Sequence, residues 1–326
     1  VSEYALATDG TRIAVVWSQT NVQQTDIYVK EFDGTSWLGL AGSDAGAGIS
    51  GTPGDSREPT AAYLPGRLFV AWGEPNDGYG QIYAKQYNGS AWSEAGTGAA
   101  QTGGVSATSR RAATPQLAAA GSRLYLAWAD RILVEQPDGQ GHLYAKIWNG
   151  TAFAEQLPGD ASNSGVSSTA GPVDDLTLTV DALGRPTIAW SDRFSGLPQI
   201  YLRTVTQQPS RVITVGAGAS IQNTLDTNAL GSGDVLLLQA GTYAGFTLRA
   251  DDAGVLVIGA PGQASIISSR VTVETGAGGV LQRLRLNAGL TDNASGSLTI
   301  VDSVVTGELT LTGGTDLQMF HNRFTG

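Results

Sequence analysis

Cysteine is absent from the 326 residues, so disulfides, thiolate nucleophiles and cysteine-ligated zinc or iron–sulfur centres are excluded. Lysine is nearly absent: Lys30, Lys85 and Lys146 are the only three, no basic run exists, and the formal net charge is −10. A chain with that balance has little to displace counterions from a phosphate backbone, so nucleic acid is not an expected partner. The two histidines, His142 and His321, cannot build a histidine-rich metal centre and form no H-E-x-x-H spacing; both read as surface or hydrogen-bonding residues. No apolar run reaches the roughly 18 residues of a membrane-spanning helix. The chain opens at Val1 inside a strand pattern, with neither a basic nor an apolar leader, and the expectation is a processed or cut product of something longer.

What is plentiful is turn material. Glycine fills 44 positions and charged residues only 15%, the profile of an all-β chain rather than a helical one. At about 100–200 residues per domain, the length predicts two domains. In the first, Trp17, Trp72, Trp128 and Trp190 each end an apolar run (IAVVW, LFVAW, LYLAW, PTIAW). A second strand follows each, carrying Tyr28, Tyr83, Tyr144 or Tyr201, and the first three repeats continue through Asp33-Gly34, Asn88-Gly89 or Asn149-Gly150 into a short third element. Asp-Gly and Asn-Gly predict two-residue type I′ hairpins. With a short strand ahead of each tryptophan run, the unit is four strands in about 55 residues, the pattern of a propeller blade.

These repeats resemble sialidase-like and related propellers of secreted bacterial proteins, although the S-x-D-x-G-x-x-W box of true sialidases does not occur. The resemblance implies β-propeller repeats over 1–207, with blades near 1–58, 59–114, 115–173 and 174–207. The last repeat lacks an evident fourth strand. Further blades before Val1 are expected, with a compact four-bladed ring, or 211–215 as a closing strand, as alternatives.

After a polar break at 206–210 the vocabulary changes. Ile221, Leu225 and Leu230 fall at helical spacing with Ser220 as N-cap, predicting a short capping helix near 220–230. Brief Val/Ile/Leu strands then recur, and Val255, Val280, Leu298 and Leu317 suggest successive turns of a coil with Gly, Asn and Asp at the corners. The run ITVGAGASIQNTLDTNALGSGDVLLLQAGTY resembles the opening of the pectate-lyase-like family. That resemblance implies a right-handed parallel β-helix over 208–326, incomplete at Gly326, whose open end could assemble with another chain.

Catalytic chemistry is hard to find. Asp77 and Asp138 sit in equivalent Gly-rich loops and are the weak metal candidates; one carboxylate per loop falls short of the six to eight oxygens Ca²⁺ takes, and no other cofactor is implied. Asp251, Asp252, Glu274, Asp292, Asp302 and Glu308 are scattered over corners, and Arg283, Arg285 and Asp302 lack the lyase pattern. Arg12, Arg67, Arg123 and Arg185 repeat at one position and read as a blade feature. Trp17, Trp72, Trp128, Trp190, Tyr28, Tyr83, Tyr144 and Tyr201 read as structural anchors between blades, and Tyr79, Tyr87, Trp37, Trp92 and Trp148 as candidates for stacking on a ligand. The leading expectation is a non-catalytic segment of a large secreted or cell-surface bacterial protein used for binding, adhesion or assembly, with a protein or glycan partner outside the cell. The alternative is a carbohydrate-active enzyme, a polysaccharide lyase or glycoside hydrolase, with its catalytic coils beyond residue 326.

Overall fold

The computed structural model describes residues 1–326 apart from 22–23, 76–79, 102, 131–140, 157–158, 163–164, 168–172, 183, 194–196, 205–210, 294–295, 313–315, 321 and 326, and the side chains at 174 and 320. Among the described residues the chain is all-β except for one α-helix and two single-turn 3-10 helices. It divides into two compact units, Val1–Thr206 and Gln207–Gly326.

In the first unit, strands pair antiparallel in sequence order. β1 (Glu3–Thr8), β2 (Ile13–Thr20), β3 (Thr25–Phe32) and β4 (Trp37–Gly39) make the first sheet. β5 (Arg57–Leu64), β6 (Arg67–Glu74), β7 (Gln81–Tyr87) and β8 (Trp92–Glu94) make the second. β9 (Ala112–Ala120), β10 (Arg123–Asp130), β11 (Leu143–Trp148) and β12 (Phe153–Ala154) make the third, and β13 (Val173–Val180), β14 (Pro186–Asp192) and β15 (Gln199–Thr204) a three-stranded fourth. Small meandering sheets of this kind fit propeller blades. The first strands pack in succession, β1 on β5, β5 on β9 and β9 on β13.

The period-2 alternation of each strand gives every blade two apolar faces. One, the trailing face, carries Ala14, Val16, Ile27 and Val29 in the first blade; it packs on Ala61, Tyr63, Leu68, Val70 and Trp72 of the next blade's leading face. Phe69, Ala71, Ile82 and Ala84 meet Leu124, Leu126 and Trp128 in the same way. Tyr125, Ala127 and Leu143 then meet Leu178, Ile188 and Trp190. Burying each such side chain contributes roughly 1.5–3 kcal/mol.

The predicted type I′ turns are corrected by the structure. Gly34, Gly89 and Gly150 have positive φ, but the preceding Asp or Asn does not. Its side chain instead folds over the turn: Asp33 Oδ1 accepts from the Thr35 and Ser36 amides, Asn88 Oδ1 from Ser90 and Ala91, and Asn149 Oδ1 from Thr151 and Ala152. Satisfying two amides at once favours this Asx arrangement over a second left-handed residue.

A returning segment closes each of the first three blades. Ile49 N–H donates to Ile27 O, Val105 N–H to Ile82 O and Val166 N–H to Leu143 O, at 2.8, 2.7 and 2.6 Å. The serine that follows, Ser50, Ser106 or Ser167, accepts from the same third-strand residue's N–H. The glycine before, Gly48, Gly104 or Gly165, has φ of +57°, +55° and +57°, and a Cβ there would overlap that residue's carbonyl oxygen. This Gly-Ile/Val-Ser latch therefore admits only glycine at its first position. The next blade grips it: Lys85, Lys146 and Arg203 donate to the carbonyls of Ile49, Val105 and Val166, each at 2.6 Å.

In the second unit the chain visits three parallel sheets in rotation. The first contains Val212–Val215, Val235–Leu238, Val255–Ile258, Gly279–Gln282, Ser297–Val301 and Asp316–Phe320. The second contains Gly241–Tyr243, Ser265–Ile267, Leu284–Leu286, Val304–Val305 and Arg323–Phe324, and the third Thr247–Leu248, Val271–Val273, Leu290–Asn293 and Leu309–Thr312. Val212–Val215 pairs parallel with Val235–Leu238, so it does not serve as a closing strand for the blades. Val280 pairs with Leu256, one residue off the expected alignment with Val255. The inward ladder is Leu236, Val257, Leu281 and Ile300, all wholly buried. Helix α1 (Ile221–Asn228) begins at Ser220, whose side chain accepts from Asn223 N, and it buries Ile221 and Leu225 in the same core.

Candidate functional site

The repeated aromatics have a structural explanation. Trp17 pairs in register with Tyr28, Trp72 with Tyr83, Trp128 with Tyr144 and Trp190 with Tyr201. Three of these pairs stack at 5.7–5.8 Å, and Trp72–Tyr83 meets edge-on at 6.2 Å. Trp72, Trp128 and Trp190 are buried under the preceding blade, whereas Trp17 is only half-buried.

Among the described residues, the aromatics expected to bind a ligand are not gathered at one place; only Tyr87 and Trp92 touch. Trp37 is exposed and tilted against Phe32. Trp92 tilts against Tyr87 and donates to Leu40 O at 2.8 Å. Trp148 is core, edge-on to Phe69 and Phe153. Tyr79, Asp77, Asp138 and His321 lie outside the described residues, and among the described residues no group of three or more His, Asp or Glu could hold a metal. His142 is buried edge-on to Tyr144 at 6.2 Å. Of the repeated arginines, Arg12 forks onto Asp9 and also lies 4.9 Å over the Tyr63 ring of the next blade, Arg185 pairs with Asp181, and Arg67 donates to Gln86. In the second unit Arg283 and Asp302 occupy the same corner of consecutive circuits, both buried and both at positive φ, with Gln282 Nε2 donating to Asp302 Oδ2.

Sequence reasoning missed what stands two residues beyond each tryptophan: Gln19, Glu74, Asp130 and Asp192, of which the three acids are buried. In the second blade Glu74 Oε2 accepts from Trp72 Nε1, Ser56 Oγ and Thr52 Oγ1 at 3.2, 2.7 and 2.8 Å. In the first, Trp17 Nε1 donates to Gln19. In the third blade the acid is one methylene shorter. Asp130 Oδ2 accepts from Tyr144 OH at 3.0 Å and lies 3.7 Å from Arg110 Nε, and the buried indole N–H of Trp128 has no partner among the described residues.

Beside that indole is a cavity of about 210 Å³ lined by Ser106, Ala107, Thr108, Ser109, Trp128, Tyr144 and Ala161. It lies between the segment leaving the second blade's latch and the Trp128–Tyr144 stack. Lys146 Nζ stands 5.9 Å from the Trp128 ring centre, and burial holds its ammonium below the usual lysine range, with Glu155 acting in the opposite sense. Three hydroxyl-bearing residues line its polar side, while Trp128 and Tyr144 lie all but wholly buried against it. The cavity between the third and fourth blades, lined by Tyr125, Lys146, Ile188 and Arg203 among others, is smaller, at about 40 Å³.

No family model and no curated protein matches the chain. Among solved structures it is similar to an endo-arabinase from Bacteroides thetaiotaomicron, at 14% identity over 63% of this chain and 74% of that one, TM-score 0.38. It is also similar to fructan 1-exohydrolase IIa from Cichorium intybus, at 15% identity over 58% and 39%, TM-score 0.36. A GH32 β-fructofuranosidase from Bombyx mori matches at 12% identity over 60% and 43%, TM-score 0.34. The chain spans less than half of the latter two. The three are carbohydrate-active enzymes; none is a sialidase or a pectate lyase. The solved structures that the chain resembles are carbohydrate-active enzymes, against the expectation of a non-catalytic adhesion or assembly segment.

Proposed function

We propose that the chain belongs to a carbohydrate-active enzyme that cleaves glycosidic linkages, with one sugar ring of the substrate seated between Trp128 and the hydroxyls of Ser106, Thr108 and Ser109. The observation that carries this reading is the cavity lined by the hydroxyls of Ser106, Thr108 and Ser109 beside the buried Trp128 indole, whose N–H has no partner among the described residues. Asp130 holds Tyr144 in place through its hydroxyl, fixing the buried stack on which the cavity wall rests.

Glycoside hydrolysis takes two carboxyl groups about 5–9.5 Å apart, and Asp130 is a carboxylate bonded to Tyr144, which lines this cavity. The second unit is read as a parallel β-helix, supported by its three-sheet rotation and the 19-residue circuits of its later turns. Such a coil supplies a long surface for a polymer, in keeping with an extracellular glycan substrate.

The test is release of reducing ends from arabinan, fructan and β-1,2-mannan, beside unsaturated product from acidic polysaccharides, for the wild type and Ala161→Phe. Ala161 is half-buried, and a phenyl ring there fills the cavity while removing no hydrogen bond. Turnover on one polymer, with kcat/KM lowered roughly tenfold or more in Ala161→Phe, supports the reading. Absence of turnover on all of them, or activity indifferent to the filled cavity, refutes it.

A further inference from the structure

Asn88 and Asn149 are the only asparagines that precede a glycine. Both stand exposed in the hairpin that joins the third and fourth strands of their blades. In the second blade Asn88 Oδ1 accepts three hydrogen bonds, from Ser90 N, Ala91 N and Ser90 Oγ at 3.0, 3.0 and 2.9 Å. In the third, Asn149 Oδ1 accepts from Thr151 N, Ala152 N and Thr151 Oγ1 at 3.0, 3.0 and 2.9 Å. Gly89 and Gly150, at φ +96° and +103°, have open space where a Cβ would stand, so no described group crowds the peptide link that follows each asparagine.

We infer that Asn88 and Asn149 are self-modifying sites, at which the folded hairpin promotes loss of the side-chain amide as ammonia and leaves an aspartate. The glycine nitrogen, its proton lost to solvent hydroxide, attacks the asparagine Cγ. The Cγ–Nδ2 bond breaks, ammonia leaves with a proton taken from water, and a succinimide ring closes. Water then opens the ring at Cγ and the glycine nitrogen recovers its proton, so that asparagine and water have become aspartate and ammonium. Negative charge develops on Oδ1 during the attack, and three fixed donors already surround that atom, the arrangement of an oxyanion hole. The first blade shows that the product fits. Asp33 occupies the same place, and the Ser36 and Thr35 amides, which donate to its carboxylate at 2.9 and 2.8 Å, hold it below the usual carboxylate range. Opening the ring at the backbone carbonyl instead would give isoaspartate, which inserts a carbon into the main chain and breaks the pairing of Asn88 with Ala91 and of Asn149 with Ala152. Aspartate is therefore the product the hairpin keeps, and each conversion adds one negative charge to its blade.

The experiment follows positions 88 and 149 by peptide mass spectrometry after chromatographic separation of aspartyl and isoaspartyl forms. It compares the wild type with Ser90→Ala, each folded and each unfolded in urea at the same mildly alkaline pH. Ser90 is exposed and its backbone N–H is untouched by the substitution, and unchanged tryptophan emission verifies the fold. Expected is conversion to aspartate at both positions of the folded wild type, slowed about fivefold at position 88 alone in folded Ser90→Ala, with the two chains alike once unfolded. A folded wild type that keeps both asparagines while the unfolded chain loses them overturns the proposal, because the hairpin then protects the amide. So does a folded Ser90→Ala that converts position 88 as fast as the wild type, and so does isoaspartate as the main product of the folded chain.

Discussion

Replacing Gly104 with alanine is the sharpest probe of how the blades are held. The residue sits at φ +55°, where an L side chain costs roughly 1–2 kcal/mol, and its Cβ would collide with the Ile82 carbonyl oxygen. Relieving the collision moves the latch off β7. Val105 N–H to Ile82 O, Ile82 N–H to Ser106 Oγ and Lys146 Nζ to Val105 O are all put at risk, at about 1 kcal/mol each. The expected loss is about 3–5 kcal/mol. Gly98→Ala is the control: φ is +78° with open space around the Cβ, so only the conformational cost of roughly 1–2 kcal/mol applies. Urea unfolding followed by tryptophan emission reads the first unit alone, because all seven tryptophans lie between Trp17 and Trp190. At a slope of about 1–3 kcal/mol per molar urea, Gly104→Ala lowers the midpoint well beyond the control. Equal midpoints for the two variants would refute the account of the latch.

Ser106→Ala leaves the buried Ile82 N–H without its acceptor, and the same unfolding curve should show a loss of about 1–3 kcal/mol. Leu281→Ala empties the centre of the second unit and should cost about 2–5 kcal/mol, visible in far-ultraviolet melting while tryptophan emission is unaffected. The carboxyl of Asp9 is held down at about 2, chiefly by the Arg12 backbone N–H. A depressed acid stabilises above its unfolded value of 3.8 and loses that contribution as pH falls toward 2. Because the pair is on the surface, Asp9→Asn should remove less than about 1 kcal/mol at neutral pH and flatten the acid limb of the stability profile in that window.

The spacing of Trp17, Trp72, Trp128 and Trp190 made the sheets of the first unit legible, since each tryptophan needs the tyrosine on the neighbouring strand and the pair recurs with it. The latch was not legible. Gly-Ile/Val-Ser is unremarkable within a Gly-rich crossover, and its meaning depends on a carbonyl 22 or 23 residues earlier. The cavity was hidden by a smaller difference: Asp130 in place of a Glu is one methylene, and only the positions of Trp128 and Tyr144 reveal that the shorter acid satisfies the phenol and not the indole. Asp-Gly and Asn-Gly misled because the dipeptide specifies a left-handed glycine but does not settle whether its predecessor follows. Val280 misled by one residue because Val280 and Leu281 are both apolar, and only pairing to Leu256 and Val257 decides which of them turns inward.

The lysine or arginine that reaches back to the previous latch makes every seam of the array self-contained. The seam bonds described above join neighbouring blades, so removing one whole repeat, cut at equivalent points, should leave a shorter protein whose remaining seams keep their strength. Lineages carrying this chain could therefore lengthen or shorten it by unit steps, without redesigning a common hub.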